Sequence, residues 1–219
     1  MRALIVAGGE PPRRRILRRL ARAHDLVLAA DSGAATLLAA GLLPGAVIGD
    51  YDSLPPEAAE RLAAAGVPLL PHPAPGLRTD GHVALLEARR RGADHVTITG
   101  VLAPRLDQAI NHVLLLALPE LESAGVCLLG RHAEAWLVRG EKLVRGRPGD
   151  YVSLLPLSET AEGVTTTGLL YPLRGARLLR ADSLGVSNRL VEPMGGASVE
   201  HGLLLLVHET GDRPAFPSL

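Results

Sequence analysis

A doubly wound, mostly parallel α/β sheet domain followed by a smaller all-β sandwich domain is the fold class this sequence predicts, on three observations. Short apolar runs alternate with helix-period segments as far as Gly140, the pattern of strands joined through crossover helices. Several of those runs stop at glycine or aspartate, as buried parallel strands do where they meet a ligand-bearing loop. Beyond Gly140 helical periodicity disappears, and strand-like segments recur between turn residues.

Taken in order, Ala3–Ala7 reads as a buried strand ending in Gly8-Gly9. Arg13 to Ala23 carries Ile16, Leu17 and Leu20 at helical spacing, and Leu26–Ala30 is a second strand that stops at Asp31-Ser32-Gly33. Ala34 to Ala40 is a helix closed by Gly41, and Ala46–Ile48 is a strand stopping at Gly49-Asp50-Tyr51-Asp52-Ser53. Pro55–Ala65 is a helix opened by prolines and closed by Gly66. The strand Val67–Leu70, a helix from Thr79 to Arg91, the strand His95–Thr99 and a helix over Ala109–Leu118 follow. Strands at Val126–Leu129 and Ala135–Val138 complete this half. The β-rich half offers Lys142–Val144, Tyr151–Pro156, Gly163–Thr167, Arg177–Arg180, Arg189–Val191, Ala197–Glu200 and Leu203–His208. The boundary is expected near 140–148, dividing the chain into domains 1–142 and 143–219.

Composition removes several classes of function. The 219 residues balance 23 basic against 23 acidic side chains, so nothing favours a polyanionic partner, and no nucleic-acid partner is expected. The one basic run, Arg13, Arg14, Arg15, Arg18 and Arg19, reads as a solvated helix face. Cys127 is the sole cysteine, which excludes an internal disulfide and a cysteine-based metal site. The apolar run before Gly8 is too short for a secretion signal or a membrane span, so the expectation is a cytoplasmic protein with no membrane partner.

The chemistry gathers at the strand ends. Asp31 follows the second strand, Asp50 and Asp52 the third, Asp80 lies shortly after the fourth, and Asp107 follows the fifth by a few residues. In an open parallel sheet, ligands bind beyond these ends. Asp50 and Asp52, two apart, point the same way if the chain there is extended. Like charges so placed repel unless a cation sits between them. Magnesium takes oxygen ligands and bridges to substrate phosphates. The reading is a magnesium site built from Asp50, Asp52 and Asp80 with Asp31 nearby, acting on nucleotide phosphates. Arg105, two residues before Asp107, is placed either to neutralise phosphate charge or to pair with that aspartate. Gly8-Gly9 could bring backbone N–H groups to a phosphate, a weak signal by itself. Of eight histidines none has metal-ligand spacing; His82, His95 and His112 read as surface or satisfied residues.

At these residues the sequence resembles the thiamine pyrophosphokinase family. That family's D-x-G-x-x-x-L-L is met by Asp31-Ser32-Gly33 with Leu37-Leu38, its G-D-x-D-S by Gly49 to Ser53, its T-D by Thr79-Asp80, and its R-x-D by Arg105-Leu106-Asp107. In the β-rich half, T-x-x-G-x-x-Y-P-L matches Thr165 to Leu173, and S-N matches Ser187-Asn188. The resemblance implies a homodimer that moves a pyrophosphoryl group from ATP to the hydroxyl of thiamine, with Mg2+ as cofactor. It implies catalytic roles for Asp52, Asp80, Arg105 and Asp107, with magnesium on Asp50, Asp52 and Asp80. Nucleotide contacts fall to Asp31, Gly33, Asp50, Ser53, Arg78 and Thr79. Tyr171, Ser187 and Asn188 would hold the thiamine rings across the dimer interface, an aromatic face suiting a cationic thiazolium. The chain departs from the family pattern at Gly76-Leu77 in place of Lys-Asp, at His82 in place of an acid, at Ala103-Pro104 in place of Gly-Gly, and at Gln108 in place of His. Lys142 is the only lysine, so Arg78 is the natural replacement cation. Two alternatives stay open at this level: another alcohol acceptor, such as a pterin, or a binding module without turnover.

Overall fold

A computed structural model describes residues 1–72, 77–102 and 105–218. It divides into two compact units, Met1–Arg131 and His132–Leu219.

The first unit is a parallel sheet of β1 (Arg2–Val6), β2 (Leu26–Ala30), β3 (Ala46–Gly49), β4 (Leu69–Pro71), β5 (His95–Thr99) and β6 (Gly125–Leu129). The strands run in the order β6-β5-β1-β2-β3-β4, and every neighbouring pair is parallel. The chain builds outward from β1 to β4, then returns to lay β5 against the other side of β1. The strand order therefore reverses between β1 and β5, which is where a doubly wound sheet opens a crevice at its carboxyl edge. Leu4 and Ile5 are fully buried, as an unbroken apolar run requires when helices cover both faces.

The helices are α1 (Arg14–Ala23), α2 (Gly33–Ala39), α3 (Pro56–Ala64), α4 (Asp80–Arg90) and α5 (Leu106–Leu115). In α1, Leu17 and Leu20 face inward while Arg14, Arg15, Arg18 and Arg19 are exposed, so the arginine run is a solvated face. Arg18 also donates from Nε to the Ala40 carbonyl at 2.7 Å, tying α1 to the end of α2. Thr79 caps α4, its hydroxyl accepting from the His82 N–H at 3.3 Å. The α5 helix begins at Leu106 rather than Ala109 because its first turn is polar and exposed around Asp107, so apolar periodicity does not mark it. No helix among the described residues is long and apolar enough to cross a membrane.

The second unit contains β7 (Ala133–Val138), β8 (Glu141–Arg145), β9 (Tyr151–Pro156), β10 (Thr160–Thr167), β11 (Ala176–Leu179), β12 (Asn188–Arg189), β13 (Met194–Ser198) and β14 (Leu204–Glu209). These form two antiparallel runs, β12-β9-β14-β7 and β11-β10-β13-β8. The compact units divide between Arg131 and His132. The reason is β7, which pairs with β14 along its whole length, from Ala133↔Glu209 to Val138↔Leu204. The β13 strand, expected from Ala197, begins at Met194. In the fold Gly195 and Gly196 sit inside the strand, where a Cβ on Gly196 would strike the Lys142 carbonyl of β8.

A buried polar network braces this unit. Glu134 of β7 is 1% exposed and accepts from Trp136 Nε1 at 2.9 Å, Ser218 N at 2.8 Å and Ser218 Oγ at 2.7 Å. His208 of β14 lies between Glu134 (3.0 Å) and Asp150 (3.3 Å), and Arg213 pairs with Asp150. Burial pushes the Glu134 and Asp150 carboxyls up, but the hydrogen bonds from His208, Ser218 and Arg213 more than reverse it, leaving both below the usual carboxylate range. Burial works against a charged His208, and the two carboxylates overcome that, holding the ring above its ordinary value.

Candidate active site

The site lies at the carboxyl edge of the first unit. Asp31 leaves β2 with φ 46°, its N–H bonded to the Ile48 carbonyl at 2.8 Å. Tyr51 adopts φ 65°, so Asp50-Tyr51-Asp52 forms a turn rather than the extended segment the i, i+2 spacing suggested. Aspartate visits the left-handed region readily, whereas a bulky tyrosine there is strained, and such strain collects at functional sites. The turn still gathers the carboxylates. One oxygen each from Asp31, Asp50 and Asp52 lie within 4.8 Å of one another.

Asp80, at the start of α4, stands beside this group. A Cβ on Gly49 would sit 3.1 Å from Asp31 Cβ and 3.3 Å from Asp80 Oδ1, so the glycine lets the two acids close on each other. Burial, then the charges of Asp31 and Asp50, push the Asp80 carboxyl above its ordinary value. Ser53 donates to Asp52 at 2.8 Å, and the Asp52 N–H to Asp50 at 3.4 Å. Asp31 Oδ1 and the Tyr51 hydroxyl are buried without a hydrogen-bond partner. Buried polar atoms are nearly always satisfied, so bare ones in an acidic cluster fit a ligand or cation of hard-oxygen preference.

Beside the acids opens a cavity of about 470 Å³. The ends of β1 and β5 line it with Gly8, Gly9, Gly100 and Val101, the end of β2 with Asp31 and Ser32, α4 with Thr79, Asp80 and Gly81, and α5 with Arg105, Gln108 and His112. It therefore sits at the reversal of strand order. The glycines serve close packing first: a Cβ on Gly8 would collide with Ser32 Oγ, and one on Gly33 with the Val6 carbonyl. The Gly9 N–H is already bonded to the Gly100 carbonyl at 2.9 Å.

The sequence-predicted residues divide accordingly. Asp31, Asp50 and Asp52 converge, with Asp80 and Thr79 alongside. Arg105 borders the cavity but is engaged with Asp107 at 3.2 and 2.6 Å, with the two side chains 69% and 64% exposed. Asp107 is thus an exposed partner of Arg105 and is not among the cavity's lining residues. Arg78 is exposed, its carbonyl meeting His72 Nε2 at 2.9 Å. Gly76, Ala103 and Pro104 lie outside the described residues. His112, expected to be satisfied, lines the cavity with a bare Nε2; only its place one helical turn after Gln108 could have hinted at this.

In the second unit Tyr171 is 64% exposed. Asn188 Oδ1 accepts from the N–H groups of Tyr171 and Arg189, both at 2.9 Å, and Nδ2 donates to the Tyr171 carbonyl at 2.7 Å. Its amide therefore fixes the Tyr171 backbone instead of standing free. Ser187 is exposed at φ 62°, its N–H bonded to Ser153 Oγ at 3.1 Å.

A doubly wound α/β unit with clustered strand-end acids over a glycine-walled crevice, joined to an antiparallel β unit, defines a two-part ligand-binding protein. Residues 17–128 match the family model described as thiamin pyrophosphokinase, catalytic domain, and residues 141–204 match thiamin pyrophosphokinase, vitamin B1 binding domain. The chain belongs to the thiamin pyrophosphokinase family. It is 28% identical over 208 residues to a thiamine pyrophosphokinase of Bacillus subtilis (strain 168), covering 94% of this chain and 97% of that protein. Solved thiamine pyrophosphokinases align throughout. That from Bacillus subtilis gives a TM-score of 0.84 at 26% identity, covering 96% of this chain and 100% of that one. That from Geobacillus thermodenitrificans gives 0.84 at 28%, covering 98% and 100%.

Proposed function

We propose that this protein transfers the pyrophosphoryl group of ATP to the hydroxyl of thiamine, giving thiamine diphosphate and AMP. One observation carries the reading: Asp31, Asp50 and Asp52 converge within 4.8 Å in the segment that matches the catalytic-domain model. The hydroxyl oxygen forms a bond to the β-phosphorus, the bond from that phosphorus to the bridging oxygen breaks, AMP departs with the electron pair, and the hydroxyl proton passes to solvent or a neighbouring base.

Asp31, Asp50 and Asp52, with Asp80 beside them, would hold a magnesium ion, whose chemistry is to neutralise phosphate charge. Asp52 is oriented by Ser53. Arg105 borders the cavity in an exposed ion pair, a weakly held arrangement that a phosphate oxygen can displace. The first unit takes the nucleotide and the second the thiamine. Tyr171 offers an exposed ring face to a cationic thiazolium, with Asn188 setting its backbone. Homodimerisation through the second unit is supported by Leu170, Tyr171, Val191 and Met194, all exposed, with Leu170 and Val191 drawn together by the backbone pairing of 168–170 with 189–191.

Incubation with ATP, magnesium and thiamine, followed by chromatography, is expected to yield AMP and thiamine diphosphate in equal amounts. Absence of both products overturns the reading.

A further inference from the structure

The geometry points to His112 as a specificity-determining residue: its Nε2 accepts a hydrogen bond from a donor group of the nucleoside, a ribose hydroxyl or an exocyclic base amine. The inference rests on the nucleotide reading above.

His112 Nδ1 lies 2.7 Å from the Gln108 carbonyl. A carbonyl only accepts, so Nδ1 carries the proton, and in the neutral ring Nε2 is a bare lone pair. Burial disfavours the imidazolium, with the Gln108 bond a lesser opposing influence, and lowers the ring's proton affinity. The side chain is 5% exposed, yet Nε2 has no partner. Other buried histidines here do not behave this way. His24 binds the Leu20 carbonyl and Thr97 Oγ1, and His208 binds two carboxylates.

The residues around this atom border the cavity. Gly81, beside Asp80 in the first turn of α4, faces the ring, and a Cβ there would collide with Nε2. Both residues line the cavity. Phosphate oxygens only accept, so a bare imidazole lone pair turns them away and calls for an O–H or N–H. The triphosphate therefore lies toward the acids and Arg105, and the donor-bearing nucleoside toward His112. A site built around such an acceptor rejects an analogue that lacks the donor, because the buried atom is then left unpaired.

The test measures binding by calorimetry, with magnesium and no acceptor alcohol. It compares ATP, 2′-deoxy-ATP, 3′-deoxy-ATP and purine riboside triphosphate on the full-length protein and on His112→Leu, His112→Gln and Gly81→Ala. The wild type is expected to bind one analogue about 10-fold more weakly than ATP, the scale of one lost hydrogen bond. The affected analogue identifies the donor. His112→Leu should bind ATP about 10-fold more weakly and no longer distinguish that analogue. His112→Gln, which keeps an acceptor oxygen, should recover part of the preference. Gly81→Ala, which retains the imidazole but crowds it, should erode it. No preference in the wild type, or a preference that His112→Leu leaves intact, overturns the inference while the proposed function stands. Failure of the wild type to bind any triphosphate overturns both.

Discussion

Asp52 shows what single residues contribute. Its carboxylate is one of three held within 4.8 Å, and Ser53 fixes it from the side. Asp52→Asn keeps the shape and removes the charge, so turnover is expected to fall about 100-fold or more, with the melting temperature little changed. Asp80 should separate activity from stability. Its carboxyl sits above its ordinary value because of burial and acidic neighbours, so its negative charge destabilises the folded state above that value and the cost disappears as pH falls through it. Asp80→Asn is therefore expected to melt at higher temperature than the wild type in EDTA at neutral pH, while losing activity. A lower melting temperature would show that the acids are already compensated by the protein. The Tyr51 hydroxyl is buried and unpartnered, so Tyr51→Phe should leave urea stability unchanged or slightly raised; a clear loss would reveal a partner for it.

Elements carry these residues to their places through close backbone approach. A Cβ on Gly33, the first residue of α2, would strike the Val6 carbonyl of β1. Gly33→Ala is expected to cost about 1–3 kcal/mol in urea unfolding, even though alanine is the better helix former. The order of strands and helices in the first unit was legible because several short buried strands stop at glycine or aspartate: Leu26–Ala30, an unbroken apolar run, and His95–Thr99, with its alternating threonines, were read with their observed ends. What escaped notice shares one cause, a residue whose neighbour is distant in sequence. Gly195 and Gly196 sit inside a strand because of β8, and β7 belongs to the second unit because of β14. The acids were legible by their spacing, but Asp31 as a full member of the converging group, and Asn188 as a brace for Tyr171, needed the fold. His112 was invisible because nothing local says that its second nitrogen goes unpaired.

At the scale of the whole molecule, the network around Glu134 makes the stability of the second unit depend on pH. Glu134 and Asp150 lie below their ordinary values, so their contribution is complete above the usual carboxylate range, about pH 4, and is lost as pH falls through the depressed values. His208 lies above its ordinary value, so its contribution is complete below about pH 6.5 and is lost as pH rises through the raised value. Unfolding followed across pH should therefore show a plateau at roughly pH 5–6.5 for the second unit, and His208→Gln should remove the decline on the alkaline side. A profile that keeps that decline in His208→Gln would assign it to another group.

The β14 strand hydrogen-bonds to β7 on one side and β9 on the other, although it is the last strand in chain order. On a translating ribosome, β7 and β9 emerge well before the segment that joins them. Until Leu204–Glu209 is synthesised, the two nascent edges have no mutual partner, and the second unit cannot close. The first unit owes nothing to this delay, since all its parallel pairings are complete by Leu129. Synthesis of Leu204–Glu209, rather than collapse of the early portion, thus sets the earliest moment at which the second unit can close.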